Sequence, residues 1–384
     1  MNNTYLDNKQ KNMCNGCGVC ALVCPKKCIK MVEDDEGFLY PKIYENKCIK
    51  CNECRKKCAN FNNKKEKNEK AYATINNSEQ QLNESSSGGM FYILAEYTIK
   101  HNGVIFGVTY NKDLKAVHKY AESLDECKKF CGSKYVRSDL QDSYIKVKEF
   151  LNDGRYVLFT GTACQISGLK KYLEKEYDNL ILCDVLCHAN PSPKVFEMYV
   201  KNLEKIKNKK VRTILFRAKE NGWKNQTPII EYEDGEKEEE KSYFNAFVSE
   251  MINRPSCYLC QFASKRRISD FTIGDFWGIE KILPNIETSR GVSLLNVNSN
   301  KGFKIFDEIK VKMKYIEVNY DLSWSFNHYK NVKVHKNRNK FFKKICDGKI
   351  NENNVIIYMN KYTKRKLHNR IIGKGKRIIR DLFI

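Results

Sequence analysis

The chain has 384 residues, 41% of them hydrophobic, enough for two or three domains with a sizeable core. No run of about 18 apolar residues occurs, which excludes a membrane-spanning helix. The opening stretch, MNNTYLDNKQKN, lacks the apolar core of a secretion signal, so the reading is a cytoplasmic chain. Its 17 cysteines, an odd number, then argue for metal binding rather than a disulfide scaffold. The net charge of +23 gathers at the ends, with +6 in residues 1–65 and +13 in residues 331–384. Basic ends fit an acidic partner as well as a solvated basic face.

Cys14, Cys17, Cys20 and Cys24 form C-x-x-C-x-x-C-x-x-x-C, followed by Pro25, and Cys48, Cys51, Cys54 and Cys58 repeat the spacing. This is the run of two-cluster bacterial ferredoxins, in which the fourth cysteine of each run crosses to the other cluster. The rule predicts one [4Fe–4S] on Cys14, Cys17, Cys20 and Cys58, and a second on Cys48, Cys51, Cys54 and Cys24. Thiolates also suit zinc, although zinc sites usually pair two short C-x-x-C knuckles. Ala59 stands where proline often follows the last cysteine, which loosens the turn and removes no ligand. Cys28 reads as a buried thiol. KMVEDDEGFLYPKIYE (30–45) reads as a strand, an acidic turn and a second strand.

Residues 60–70, NFNNKKEKNEK, read as a linker. Ser85-Ser86-Ser87-Gly88-Gly89 then precedes a helix, MFYILAEYTIK (90–100), and small polar residues there supply an N-cap or phosphate contacts. GVIFGVTY (103–110) reads as a strand. In KFCGSKYVRSDL, Lys134 and Arg137 offer a second phosphate contact. YVLFT (156–160) is a strand, Gly161-Thr162-Ala163-Cys164 a turn, and ISGLKKYLEKEY a helix, the α/β order that places ligands at strand C-termini. LILCDVLC (180–187) is the next strand, with Cys183 in a packing role. Ser192-Pro193 starts a helix. Asp234-Gly235 marks a hairpin. Arg217, Lys219 and Trp223 are candidates to line a substrate pocket. Of the histidines only His188 stands at a suspect site, beside Cys187, where it reads as a hydrogen-bond partner.

Cys164, Cys187, Cys257 and Cys260 are candidates for a third metal site, and this dispersed spacing suits zinc equally. Cys127, Cys131 and Cys346 read as structural. At the end of the chain, Leu367, Ile371, Ile378 and Leu382 fall near one helical face among basic residues. That pattern fits a helix packed on its own domain, an anionic membrane surface or an acidic electron carrier. No aromatic stacking platform or DNA-binding motif accompanies the charge, so nucleic acid is not an expected partner.

The strings SSSGGMFYILAEYTIKHNGVIFGV, GSKYVRS, FTGTACQISGLK, CDVLCHANPSPKVF, FRAKENGW, RPSCYLCQFASKRRISDFTIGDFWGI and RGVSLLNVN occur in this order. Together they resemble the coenzyme F420 hydrogenase/dehydrogenase beta-subunit family, over about residues 70–330. The resemblance implies FAD and a further [4Fe–4S] cluster held by dispersed cysteines, here Cys164, Cys187, Cys257 and Cys260. It implies flavin contacts from Ser86, Ser87, Gly88, Gly89, Lys134, Gly161 and Thr162. Ala163 departs from a family proline before the cysteine, and Cys131 from a common basic residue.

The expected fold is mixed, α+β and α/β. Residues 1–65 form a ferredoxin-like domain with two [4Fe–4S] clusters. Residues 71–160 and 161–330 form the two parts of a mixed α/β flavin-binding core, and residues 331–384 a basic tail. The expected activity is that of an iron–sulfur, FAD-dependent oxidoreductase. It takes electrons from a carrier such as ferredoxin or reduced F420 and passes them to a small-molecule substrate by hydride transfer. Family members differ in substrate. F420 reduction or oxidation, surface-polysaccharide synthesis and a non-catalytic electron-transfer role all stay open. The expected location is cytoplasmic, with a peripheral contact at the inner membrane face through the tail.

Overall fold

The structure, a computed structural model, describes residues 4–60 and 69–364 except 221, 226 and 328. The amphipathic stretch from Leu367 onward lies outside the described residues, as does most of the linker. Thirteen strands form among the described residues: β1 (Ile29–Glu33), β2 (Leu39–Ile43), β3 (Lys70–Asn76), β4 (Val104–Tyr110), β5 (Ala116–Ala121), β6 (Val157–Thr162), β7 (Leu180–Val185), β8 (Val211–Leu215), β9 (Ile229–Tyr232), β10 (Lys237–Glu239), β11 (Phe271–Asp275), β12 (Ser293–Val297) and β13 (Met313–Val318). They make a β1–β2 hairpin, a three-stranded sheet in the order β10-β9-β8, and an eight-stranded sheet in the order β13-β3-β12-β11-β7-β6-β4-β5.

In the large sheet β4, β6, β7 and β11 are mutually parallel, and β3, antiparallel to β12, points the same way. The C-termini of these five strands therefore share one edge, the edge that binds ligands in open α/β sheets. Strand β6 shows why the sheet forms. Its residues are buried on both faces, as parallel strands require. Leu158 enters a core with Met90, Leu94 and Phe306, while Val157 and Phe159 enter a second with Tyr144, Ile166 and Leu169. The sheet thus lies between two helical layers, including Met90–Lys100 on one face and Ala163–Leu173 on the other. This is the mixed α/β class expected. The sheet draws strands from both sides of residue 160, so the division there does not separate two bodies.

The N-terminal unit has four-residue helices at Val19–Leu22 and Glu53–Lys56 and the β1–β2 hairpin. So few elements cannot close a core of their own. It leans on the rest of the chain. Val19 is fully buried in the core under the large sheet, and Phe38 and Tyr40 join a cluster with Phe196, Tyr199 and Tyr243. Ser167 Oγ donates to the carbonyl of Ala59 at 2.7 Å. Gly168 permits a close approach: a Cβ there would lie 2.5 Å from Tyr144 Oη and 3.0 Å from Cys17 Cβ.

Residues 331–364, expected as part of a basic tail, behave differently. Helices Arg338–Cys346 and Val355–Thr363 bury Phe341, Phe342, Val355 and Met359 in the same cluster as Phe38. Apolar residues three and four apart give these helices a buried face beneath their basic surface.

Candidate functional site

The two cysteine runs close on each other as their spacing predicts. Cys20 is pushed well above its ordinary range, first by burial and then by the neighbouring Cys17, Cys14 and Cys58. Burial also takes Cys17 up to about 12, with Cys14 and Cys58 adding to the rise. Cys54 is raised by burial and then by Cys51, Cys24 and Cys48. Cys58 thus neighbours Cys17 and Cys20 of the first run, and Cys24 neighbours Cys54 of the second, while Cys54 also acts on Cys20 and Cys164 on Cys17. The left-handed glycines Gly16 (φ 66°) and Gly18 (φ 78°) turn the first loop sharply enough to present its thiols inward.

Cys28, expected as a buried thiol, is buried, but its Sγ lies 3.4 Å from Cys24 Sγ. It lines, with Cys24, Cys48, Cys51 and Cys54, a small surface recess. The sequence signal was there in its spacing of four from Cys24, on the turn into β1. Ala59 is packed rather than loose, being 1% exposed.

A third group forms at the shared edge of the large sheet. Cys164 opens the helix Ala163–Leu173, Cys187 follows β7, and Cys257 and Cys260 lie on and after the turn Pro255–Leu259. Burial, then Cys257, Cys164 and Cys260, push Cys187 well up. Burial takes Cys257 to about 12, although the N–H of Asn190, 3.3 Å from its sulfur, works against the rise. Cys183 points instead into the apolar core and is fully buried there. His188 pairs with Glu250 at 2.7 Å, as a hydrogen-bond partner would.

Among the described residues no three His, Cys, Asp or Glu side chains converge as closely as a single ion needs. Cysteine thiols are the soft donors that an iron–sulfur cluster takes. Loading would release protons from Cys17, Cys20, Cys187 and Cys257, whose thiols burial raises.

The residues expected to touch flavin divide between two places. Ser86, Ser87, Gly88 and Gly89 lie at the end of β3. Ser86 Oγ accepts from the N–H of Ser133 at 3.1 Å, which brings Lys134 alongside. Lys134 Nζ donates to the carbonyls of Lys129 (3.0 Å) and Cys131 (2.6 Å), and burial lowers it to about 8. Lys219 Nζ donates to the carbonyls of Leu82 (2.7 Å) and Ser87 (2.8 Å), and burial lowers it too to about 8. Among the described residues neither ammonium has a carboxylate partner within ion-pair distance. None of the serines caps the helix Met90–Lys100, whose N-cap is Gly89 at φ 81°. Two ammonium groups and an uncapped helix start make an electropositive pocket that suits an anion such as a phosphate.

Gly161 and Thr162 lie elsewhere, at the end of β6, four strand spacings or about 19 Å from β3. Thr162 and Gln165 form a capping box on the helix, and Thr162 Oγ1 is 3.1 Å from Cys164 Sγ. They belong with the third thiol group. Arg137, read as a phosphate contact, also turns to the cysteines. Its Nη1 donates to Cys164 Sγ at 3.4 Å and its Nη2 to the carbonyl of Gly16 at 3.2 Å. Residues 133 to 137 thus run along the strand ends from the serine pocket to the thiols.

Between the two places stands a polar and aromatic group that sequence reading named only in part. Asp275, at the end of β11, accepts from Arg217 (2.5 and 3.1 Å) and from Trp223 Nε1 (2.7 Å). Trp223 and Trp277 stack at 5.0 Å, with the Arg217 guanidinium over Trp277. A flat ring system could be held against such a wall.

Residues 154–321 match the family model for the C terminus of the coenzyme F420 hydrogenase/dehydrogenase beta subunit. Among solved structures it is similar to a chain of the F420-reducing [NiFe] hydrogenase complex from Methanosarcina barkeri, from a xenon derivatization study. Identity is 14% and the TM-score 0.43, over 77% of this chain and 92% of that one. No curated protein matches the chain. Among the described residues no helix is long and apolar enough to cross a membrane.

Proposed function

We infer that the protein is an iron–sulfur flavoprotein oxidoreductase with three [4Fe–4S] clusters and FAD. The observation that supports this reading is the nearness of Cys58 to Cys17 and Cys20, of Cys24 to Cys48, Cys51 and Cys54 around one recess, and of Cys164, Cys257 and Cys260 to Cys187. The clusters would supply one-electron steps from a ferredoxin-type carrier, and FAD would supply hydride transfer to a small-molecule substrate.

The chain's own residues do the rest. The second group, with Cys51 exposed, meets the carrier. Gly168 lets Cys17 approach the helix that bears Cys164. Lys134, Lys219 and Ser86 hold the phosphates of the flavin. Trp277, backed by Trp223 and the Arg217–Asp275 pair, gives a flat wall for a substrate with a planar part. A reduced deazaflavin meets that description, so F420 is the alternative electron carrier to test against ferredoxin. A role in surface-polysaccharide synthesis stays within the reading, through the substrate alone.

The test is iron, acid-labile sulfide, zinc and flavin per chain after purification without oxygen. Three cubanes predict about 12 irons, with one FAD. About 8 irons with FAD would remove the third cluster. Zinc without sulfide, or a colourless protein without flavin, would sink the reading.

A further inference from the structure

Five arginines are buried among the described residues: Arg137, Arg217, Arg254, Arg267 and Arg338. Three have carboxylate partners, as buried charges must. Arg217 pairs with Asp275 at 2.5 Å, Arg267 with Asp184 at 2.7 Å and Arg338 with Glu36 at 2.5 Å. Among the described residues Arg137 and Arg254 have no such partner. Both face the first cysteine loop. Arg254, 1% exposed, donates through Nε to the carbonyl of Cys14 at 2.8 Å and through Nη2 to the carbonyl of Leu39 at 2.9 Å. Its guanidinium lies 4.3 Å from the centre of the Tyr40 ring. A Cβ on Gly16 would stand 3.0 Å from its Nη1, so the loop is glycine where the arginine presses on it. Arg137 spans from the carbonyl of Gly16 to the sulfur of Cys164. The two guanidinium groups thus occupy the space between the first and third thiol groups.

The second group differs. Its cations, Lys26, Lys50 and Arg55, line a recess open to solvent, where water and salt screen them, and Arg55 also pairs with Asp7. The first group instead faces two buried guanidinium groups with no carboxylate partner among the described residues.

We propose that Arg137 and Arg254 are the counter-charges of the first and third cubanes, and that they set both at a higher reduction potential than the second. The proposal rests on the iron–sulfur reading above. A cubane with four thiolates is a net anion and gains another negative charge on reduction. Burial by itself disfavours the more charged reduced form, whereas nearby positive charge, strengthened in a buried site, favours it. One electron from a reduced carrier enters at the exposed second cubane, which is oxidised again as the first cubane is reduced. The electron then passes to the third. The arginines order the path inward from the surface.

The test uses full-length protein purified without oxygen, with Arg137→Gln, Arg254→Gln and Arg254→Lys compared with the unaltered chain. Iron and sulfide are counted, and each cluster is titrated by EPR against an applied potential. The glutamine variants are expected to raise the oxidised-to-reduced ratio of two cluster signals about tenfold at fixed potential, 59 mV for one electron. The third signal is expected to stay in place, and Arg254→Lys to keep most of the original potential. Iron kept by Arg254→Lys and lost from Arg254→Gln would also support a need for charge. Unchanged potentials in both glutamine variants would overturn the proposal. So would equal damage from lysine and glutamine, which would assign Arg254 a shape role. A potential that follows added phosphate rather than the substitutions would assign the arginines to an anion in the cleft that Gly16, Arg137 and Arg254 line, and would also overturn it. Unaltered protein without iron would instead sink the iron–sulfur reading itself.

Discussion

Cys14, Cys17 and Cys20 share their spacing with Cys48, Cys51 and Cys54, yet the two loops live in different surroundings. The first is pressed between the helix Ala163–Leu173, the Tyr40 ring and two arginines. The second borders a surface recess, with Cys51 and Ile49 exposed. Spacing decides which thiols can share a cluster. The surroundings decide what such a cluster is for. An exposed site suits exchange with a mobile carrier, and a buried, positively flanked one suits holding an electron on its way inward.

The contrast breaks most completely if metal is taken away. The N-terminal unit has little core of its own, and metal binding to such units contributes about 10 kcal/mol or more to folding. Removing iron with a chelator is expected to strip hydrogen-exchange protection from residues 4–60 while β6, β7 and β11 keep theirs. Equal loss in both regions would mean that the unit is held by the core rather than by metal.

A smaller effect comes from filling the gap at Gly168. Gly168→Val would drive a side chain into Tyr144 and Cys17, and overpacking of this kind costs about 1–3 kcal/mol. Denaturant unfolding would show the loss. Cluster titration should show the first group disturbed and the second intact, which sharpens the difference between the loops.

Lys134 tests the far end of the sheet edge. Its ammonium is neutral above about pH 8 in the ligand-free chain. Binding of FAD is therefore expected to be tightest below pH 8 and to weaken as pH rises, by up to about tenfold per unit. Lys134→Met should weaken binding and flatten this dependence, read by fluorescence titration. The stability of the ligand-free chain moves the other way. Charging a buried ammonium costs the fold, so stability should rise from about pH 8 toward the ordinary lysine value of 10.5.

The smallest change concerns Ser192, which caps the helix Pro193–Lys207 at Val195 N–H and also reaches the carbonyl of Glu36. Ser192→Ala is expected to cost about 1 kcal/mol. Greater mobility of the β1–β2 turn, seen by hydrogen exchange, would show that the same hydroxyl ties the two regions together.

Much of this was legible in the residues alone. The two cysteine runs, the strand and helix around Gly161, the Asp234-Gly235 hairpin and the Ser192-Pro193 cap are local signals, set by neighbours a few positions away. The helix Met90–Lys100 appears where its pattern placed it, whereas Gly161 and Thr162, read as a turn, extend β6, and the following helix starts at Ala163 rather than Ile166. The spacing of Cys14 to Cys24 and Cys48 to Cys58 needed no tertiary contact to be read, because three residues of chain fix how far apart two thiols can stand.

Other features depended on which distant surfaces meet. Whether Arg137 serves a phosphate or a sulfur depends on where Gly16 and Cys164 come to rest, 121 and 27 positions away. Cys28 joins the second thiol group because the hairpin folds it back. Thr162 parts from Ser86 because β12, β11 and β7 intervene between β3 and β6. The helices from Arg338 to Thr363 leave the basic tail for the core because their apolar faces find Phe38 and Tyr199. Chain-local geometry is written in spacing, whereas a buried charge acquires its partner only when packing brings remote segments together.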